Sequence, residues 1–227
     1  SFPIVRAFNV YQDLMGNEWV LTNNGLGKIR IGEYSPAFYF AENDELHKKT
    51  AGQSFYSCLE SGAQLYFGSD GGRVWCYQKN TGRFNLLKMP TDFRIVAIGG
   101  LGTKEMIFVT DKDGFFVYTL KTKLIEHYPA SLFPASSIIS AYVDKSFEVW
   151  FEQHVPGKVV HFNPRTKILK REELAVEATT TDRSHPAFHI HEDIYGTVWV
   201  HPYGGGFSYF DRKSNSLKSF YNSLSGD

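Results

Sequence analysis

The stretch "QDLMGNEWV", residues 12–20, returns as "EDIYGTVWV", residues 192–200. Both copies read Asp, two variable residues, Gly, two more, then Trp within an apolar triplet, and both lead into a Gly-bearing turn and a second apolar run. An Asp that caps its own backbone, followed by a Gly free to take positive φ, is hairpin chemistry. The flanking apolar runs are short and alternate, without the 3.6-residue spacing of a helix. The stretch therefore predicts a turn between two antiparallel strands, and its recurrence predicts a repeated unit.

Working outward from the Trp, equivalent apolar anchors fall at Trp19, Leu65, Ile107, Val149 and Trp199, at intervals of roughly 45 residues. Each anchor begins a short strand ("WVLT", "LYFG", "IFVT", "VWFE", "WVHP") and is followed by a turn ("NNG", "SDGG", "DKDG", "HVPG", "YGGG") and another strand. A period of that length holding about four short strands is a propeller blade, a small sheet that buries its faces only against its neighbours. The fold class is thus all-β, a β-propeller of four-stranded antiparallel blades, with about five blades at 1–45, 46–90, 91–132, 133–180 and 181–227 in one domain. Innermost strands are expected at Ala7–Tyr11, Tyr56–Leu59, Ile95–Ile98, Ile138–Val143 and Phe188–His191. The second and fourth units, "LESGAQL" and "VDKSFEV", read as one residue shorter, with Glu60 and Asp144 at the acidic place. The third, "GLGTKEMI", has no acid there.

Bulk properties agree with this class and exclude others. Of 227 residues, 13 are Tyr and 19 Phe, flat rings that pack well on pleated sheets. Lys plus Arg and Asp plus Glu balance at 24 each, so no basic excess exists to neutralise nucleic-acid phosphates or an anionic membrane. No apolar run reaches the length of a membrane span, and "SFPIVRAF" lacks a signal-peptide layout. Cys58 and Cys76 are expected on strands a and c of one blade with strand b between them. Two strand spacings separate such thiols by about 9.5 Å, beyond the roughly 7 Å reach of a disulfide, so both are expected free.

The pattern carried by Asp13, Gly16, Asn17, Trp19, Thr22, Gly25 and Leu26, with a looser copy at Asp193, Gly196, Trp199, Gly205 and Gly206, resembles the two-component regulator propeller repeat. That repeat builds the periplasmic sensor region of hybrid two-component histidine kinases in glycan-degrading Gram-negative bacteria. The resemblance implies a non-catalytic, periplasmic, carbohydrate-sensing domain that signals to a histidine kinase. It also implies a parent protein with a transmembrane helix, kinase and receiver modules and a DNA-binding regulator, none of which lies in this chain. Membrane contact would come only through those other parts. Since such sensors usually carry propellers of about seven blades, five units correspond to a piece of a seven-bladed ring or to a small divergent propeller.

By fold analogy, the b-to-c turns and the d-to-a connections share the ligand side of a propeller. The candidates there are Asn23, Asn24, Asp70, Asp111, His154 and Tyr203, the last in a Gly-flanked turn suited to stacking on a sugar, and Arg183 with His185 in the connection 171–188. The connection 32–54 belongs to the same side. His189 and His191 share a strand face, with His201 on the next strand; hydrogen-bonded or channel-lining imidazoles are favoured over a metal site, and no metal or other cofactor is expected. "TDKDG" at Thr110 lacks the later Glu of a calcium loop and reads as a plain turn. The expected partner is an oligosaccharide or other glycan breakdown product. The alternatives are a protein-interaction segment, meeting a second copy or a neighbouring propeller, and a propeller lyase or hydrolase using the histidines. Trp19 and Trp199 are expected to fill the spaces between blades.

Overall fold

The computed structural model describes residues 6–30, 32, 35–40, 52–101, 104–133, 138–153, 158–173, 188–202 and 206–221. The described residues form five four-stranded antiparallel sheets, each in simple meander order. The chain divides into two compact units, 1–98 and 99–227, and the division falls within one strand, Ile95–Leu101.

In the first unit, blade 1 comprises β1 (Ala7–Gln12), β2 (Glu18–Thr22), β3 (Gly25–Ile29) and β4 (Ala37–Tyr39). Blade 2 comprises β5 (Phe55–Ser61), β6 (Gln64–Ser69), β7 (Arg73–Gln78) and β8 (Arg83–Lys88). The stretch 32–54, read from sequence as a connection, therefore contains the outer strand β4, whose three residues are too few to show a period. Blade 3 comprises β9 (Ile95–Leu101), β10 (Glu105–Thr110), β11 (Phe115–Thr119) and β12 (Ile125–Tyr128), with one 3-10 turn at Ala130–Leu132. In the second unit, blade 4 comprises β13 (Ile138–Val143), β14 (Val149–Gln153), β15 (Lys158–Asn163) and β16 (Ile168–Glu173). Blade 5 comprises β17 (Phe188–Glu192), β18 (Val198–Pro202), β19 (Phe207–Asp211) and β20 (Ser216–Tyr221). All five innermost strands lie where the sequence places them. Cys58 on β5 and Cys76 on β7 flank β6, where they pair with Phe67 and Tyr66, as the strand order requires.

Among the described residues, apolar cores lie between blades 1 and 2 and between blades 4 and 5. Trp19 of blade 1 is fully buried among Phe55, Leu65, Phe67 and Tyr77 of blade 2. Trp150 of blade 4 is fully buried against Val198, Val200 and Phe210 of blade 5. Both indoles meet a ring from strand c of the next blade edge-on, Tyr77 at 4.9 Å and 66° and Phe210 at 4.9 Å and 71°. Such a contact adds about 0.5–1.5 kcal/mol to the area buried.

One local device recurs in three hairpins. In blade 1, Asp13 Oδ1 accepts from the amides of Met15 (3.0 Å) and Asn17 (2.8 Å), and its Oδ2 accepts from Trp19 Nε1 at 2.9 Å. In blade 5, Asp193 accepts from Tyr195, Thr197 and Trp199 Nε1, each at 2.9 Å. In blade 4, Asp144 accepts from Ser146 (2.8 Å), Glu148 (2.9 Å) and Trp150 Nε1 (2.9 Å). The fourth unit is therefore a full-length copy, and its anchor is Trp150 rather than Val149. Phe147 stands at φ 62° where Gly16 and Gly196 stand at 82° and 85°. The second unit is corrected too: Glu60 pairs with Leu65 as Glu192 pairs with Val198, so Glu60 matches the residue before the motif's Asp.

That Glu has its own recurring task. Glu60 Oε2 of blade 2 accepts from Tyr11 Oη (3.3 Å) and the Leu14 amide (2.9 Å) of blade 1. Glu192 Oε2 of blade 5 accepts from Tyr142 Oη (3.4 Å) and the Lys145 amide (3.0 Å) of blade 4. Each blade so equipped ties its inner strand to the turn of the blade before it.

Candidate functional site

The turn residues expected to face a ligand are largely engaged in holding the chain. Asn23 Oδ1 accepts from the Arg6 amide at 2.9 Å, while its own amide donates to the Arg6 carbonyl at 3.1 Å. The Asn24 amide donates to Thr22 Oγ1, closing the b-to-c turn. Asp70 accepts from the Ser54 amide (3.1 Å) and Tyr56 Oη (2.8 Å), so it caps the entry to β5. Asp111 is buried, and its carbonyl accepts from the Ile138 amide at 3.2 Å. His154, Arg183, His185 and Tyr203 lie outside the described residues.

The histidine group forms as a sheet cluster. His189 pairs in register with His201, their rings 5.4 Å apart, and His191 pairs with Trp199. His189 Nδ1 lies 3.7 Å from Glu152 Oε1, which also accepts from the Ile190 amide at 2.9 Å. Burial pushes the Glu152 carboxyl up, against the Ile190 amide and His189. Burial also holds the His201 imidazole below its ordinary range, helped by the charges of His189 and His191. Among the described residues no three His, Cys, Asp or Glu side chains are placed to hold a metal.

A different site lies at the blade 1–blade 2 junction. A cavity of about 400 Å³ is lined by Asn17, Lys28 and Arg30 from blade 1 and Tyr77, Lys79 and Thr81 from blade 2. The register that pairs Trp19 with Lys28 places the ammonium 4.9 Å from the Trp19 ring and 5.0 Å from that of Tyr77, with Nζ 3.2 Å from Tyr77 Oη. A desolvated cation over aromatic faces gains about 2 kcal/mol. Lys79 pairs with Glu60. Burial pushes the Tyr77 phenol up against the pull of Arg30, leaving it a neutral hydroxyl at ordinary pH. Asp13, at the cavity edge, is saturated by the clasp: burial raises its carboxyl, but hydrogen bonds from Trp19, Asn17 and Met15 outweigh that and hold it low. The chemistry on offer is cation, hydroxyl, amide and ring face, suited to holding an anionic, hydroxylated molecule.

Sequence reasoning missed this site because it looked to turns. Lys28 and Arg30 sit on or just beyond a strand, and the available signal was the register opposite Trp19. The same register in blade 4 holds His161, fully buried and stacked on Trp150 at 4.3 Å and 7°. Its Nδ1 lies 2.9 Å from Glu148 and its Nε2 3.3 Å from Glu172.

Among solved structures, the chain is similar to the extracellular domain of a one-component system protein of B. thetaiotaomicron, BT4673, at 17% identity and TM-score 0.69 over 94% of this chain and 27% of that one. It is similar to the extracellular domain of the hybrid two-component system BT3049 of the same organism, at 15% identity and TM-score 0.68 over 96% and 30%. It shares the fold of these extracellular signalling domains. The chain spans less than a third of the length of either. A catalytically inactive variant of virginiamycin B lyase from Staphylococcus aureus is similar in fold to the same degree, at 13% identity and TM-score 0.69 over 96% of this chain and 71% of that one. No family model matches the chain, and no curated protein does. Among the described residues no helix is long and apolar enough to cross a membrane.

Proposed function

We propose that this chain is a non-catalytic sensor domain, working in the periplasm as the sensing part of a hybrid two-component system, and that it binds an acidic carbohydrate fragment between blades 1 and 2. The observation that carries the ligand class is the cavity of about 400 Å³ bounded by Lys28, Arg30 and Lys79 together with Tyr77 Oη, Asn17 and Thr81. That volume is within the range of small-molecule sites, and cations with neutral hydrogen-bonding groups suit a uronate or sulfated sugar. The fold shared with extracellular domains of signalling proteins supports the sensory role. The non-catalytic reading is supported by Asp13, the carboxylate at the cavity edge, being committed to its own hairpin and indole. A ligand there touches both blades, so it favours one spacing of them, which is a physical means of passing occupancy to a kinase.

Titration calorimetry against a panel of neutral, uronate-containing and sulfated oligosaccharides tests this. Binding confined to the acidic members, and weakened tenfold or more by Arg30→Ala, is expected. Silence across the panel from a folded chain overturns the ligand reading.

A further inference from the structure

The blade 1–blade 2 junction has a counterpart between blades 4 and 5, and the two differ in one side chain. In each, the residue four past the clasp Asp closes the hairpin by accepting from the Asp amide at 2.9 Å: Asn17 in blade 1, Glu148 in blade 4. In each, the strand-c residue paired with the Trp lies over its indole, Lys28 on Trp19 and His161 on Trp150. In each, a basic residue of the next blade stands just beyond strand c, Lys79 after β7 and Arg212 after β19. Between blades 4 and 5 the chain itself places a carboxylate among these groups. Glu148, buried, sets Oε1 2.9 Å from His161 Nδ1 and Oε2 3.6 Å from Arg212 Nη1, so one oxygen faces each basic side chain. Arg212 meets Asp144 and Glu148, and Glu192 Oε1 has no hydrogen-bond partner among the described residues. The matching Glu60 oxygen of blade 2 pairs with Lys79. An unpaired buried carboxylate oxygen is costly, so the acid at Glu148 competes strongly for the cation beyond strand c.

Between blades 1 and 2 the same place holds Asn17, whose side-chain amide donates to both Asp13 oxygens at 3.1 and 2.9 Å. The cavity of about 400 Å³ opens here, beside Lys28 and Lys79. We infer that this opening is a seat for a carboxylate brought by the ligand, one oxygen toward Lys28 and the other toward Lys79, as Glu148 faces His161 and Arg212. Asn17 keeps the seat open by being neutral and committed to Asp13; in blade 4 the chain's own Glu148 fills it. The seat rests on the acidic-ligand reading above and narrows it to uronates, because a sulfate ester carries a third terminal oxygen for which Glu148 has no counterpart.

Titration calorimetry of the full chain with uronate oligosaccharides, their methyl esters and sulfated analogues of the same length tests it. A uronate member is expected to bind, with its methyl ester and sulfated analogue at least tenfold weaker. Asn17→Glu supplies the carboxylate from within, so it should weaken uronate binding at least tenfold while keeping a cooperative thermal melt. Its crystal structure should place the introduced carboxylate within about 4 Å of both ammonium groups. If that melt is lost, Lys28→Met replaces the variant, with the same tenfold loss expected. Sulfated members binding as tightly as the uronates overturn the inference and leave the acidic-ligand reading standing, whereas silence across the panel overturns both. Uronate binding indifferent to Asn17→Glu, or an introduced carboxylate turned to solvent, also overturns the inference.

Discussion

Trp150 Nε1 donates to Asp144 Oδ2 at 2.9 Å, the same bond that joins Trp19 to Asp13 and Trp199 to Asp193. Arg212 of blade 5 reaches the same Asp144 oxygen at 2.9 Å, so in blade 4 the clasp also ties two blades together. A buried, charge-assisted hydrogen bond of this kind contributes about 1.5–3 kcal/mol, and truncating the carboxylate leaves buried donors unpaired as well. Asp144→Ala and Asp13→Ala are each expected to lower unfolding free energy by at least ~2 kcal/mol in urea titrations.

Phe147 provides a test of opposite sign. It holds φ 62° in the turn position that Gly fills elsewhere, and its side chain is 40% exposed. A left-handed conformation costs a non-Gly residue about 1–2 kcal/mol, whereas Gly adopts it freely at the expense of unfolded-state entropy. Phe147→Gly is expected to leave stability unchanged or raise it by up to ~1 kcal/mol, unlike a typical Phe truncation. Thermal melting checks this.

Alkaline stability follows from the Tyr–Glu ties. Burial, with the Glu60 charge next, pushes the Tyr11 phenol up to about 12, and Tyr142 is raised by burial and Glu192. Above pH ~10 the unfolded chain loses these protons while the folded chain keeps them, so stability falls as pH rises from 10 towards 12. Tyr11→Phe should flatten part of that slope, read as urea midpoints between pH 9 and 11.5.

On the acid side the sign reverses. Asp13 and Asp193 have folded carboxyls below their ordinary range, Asp13 by bonds that outweigh burial and Asp193 chiefly through Trp199. Their contribution is complete above the unfolded carboxyl range and is lost as pH falls through the folded values. Asp13→Asn should weaken the protein at neutral pH and shrink the further loss on acidification below pH ~4.

Cys58 should be inert. Burial first, then the charges of Glu60 and Asp13, pushes its thiol well up, which suppresses the thiolate that reacts with electrophiles. Iodoacetamide at pH 8 is expected to modify it only under denaturing conditions, as peptide mass mapping would show. Modification at a free-thiol rate in the folded state would count against this suppression of the thiolate.

The fold was legible in the sequence because hairpin chemistry and period are local: Asp13, Gly16 and Trp19 announce a turn wherever they occur together. The fourth copy was obscured because Phe147 replaces the Gly, and with that marker gone the anchor slipped by one residue to Val149. Glu60 was misplaced for a related reason, since an acid beside a turn carries no label saying which blade it serves. The candidate site was less legible than the fold. Lys28 belongs to it only through its register opposite Trp19 and the arrival of Tyr77 from another blade, and the bonds of Asn23 to Arg6 and of Asp70 to Ser54 and Tyr56 join residues too far apart in sequence for either turn to announce them.

A double-mutant cycle tests most directly whether one clasp organises these blades. Asp144→Ala and Trp150→Phe, singly and together, would be compared with Asp13→Ala and Trp19→Phe by equilibrium urea unfolding. A coupling energy of about 1–2 kcal/mol in both pairs is the expected result. Coupling in the Asp13 pair with none between Asp144 and Trp150 would contradict the claim that the fourth blade carries a full copy of the motif.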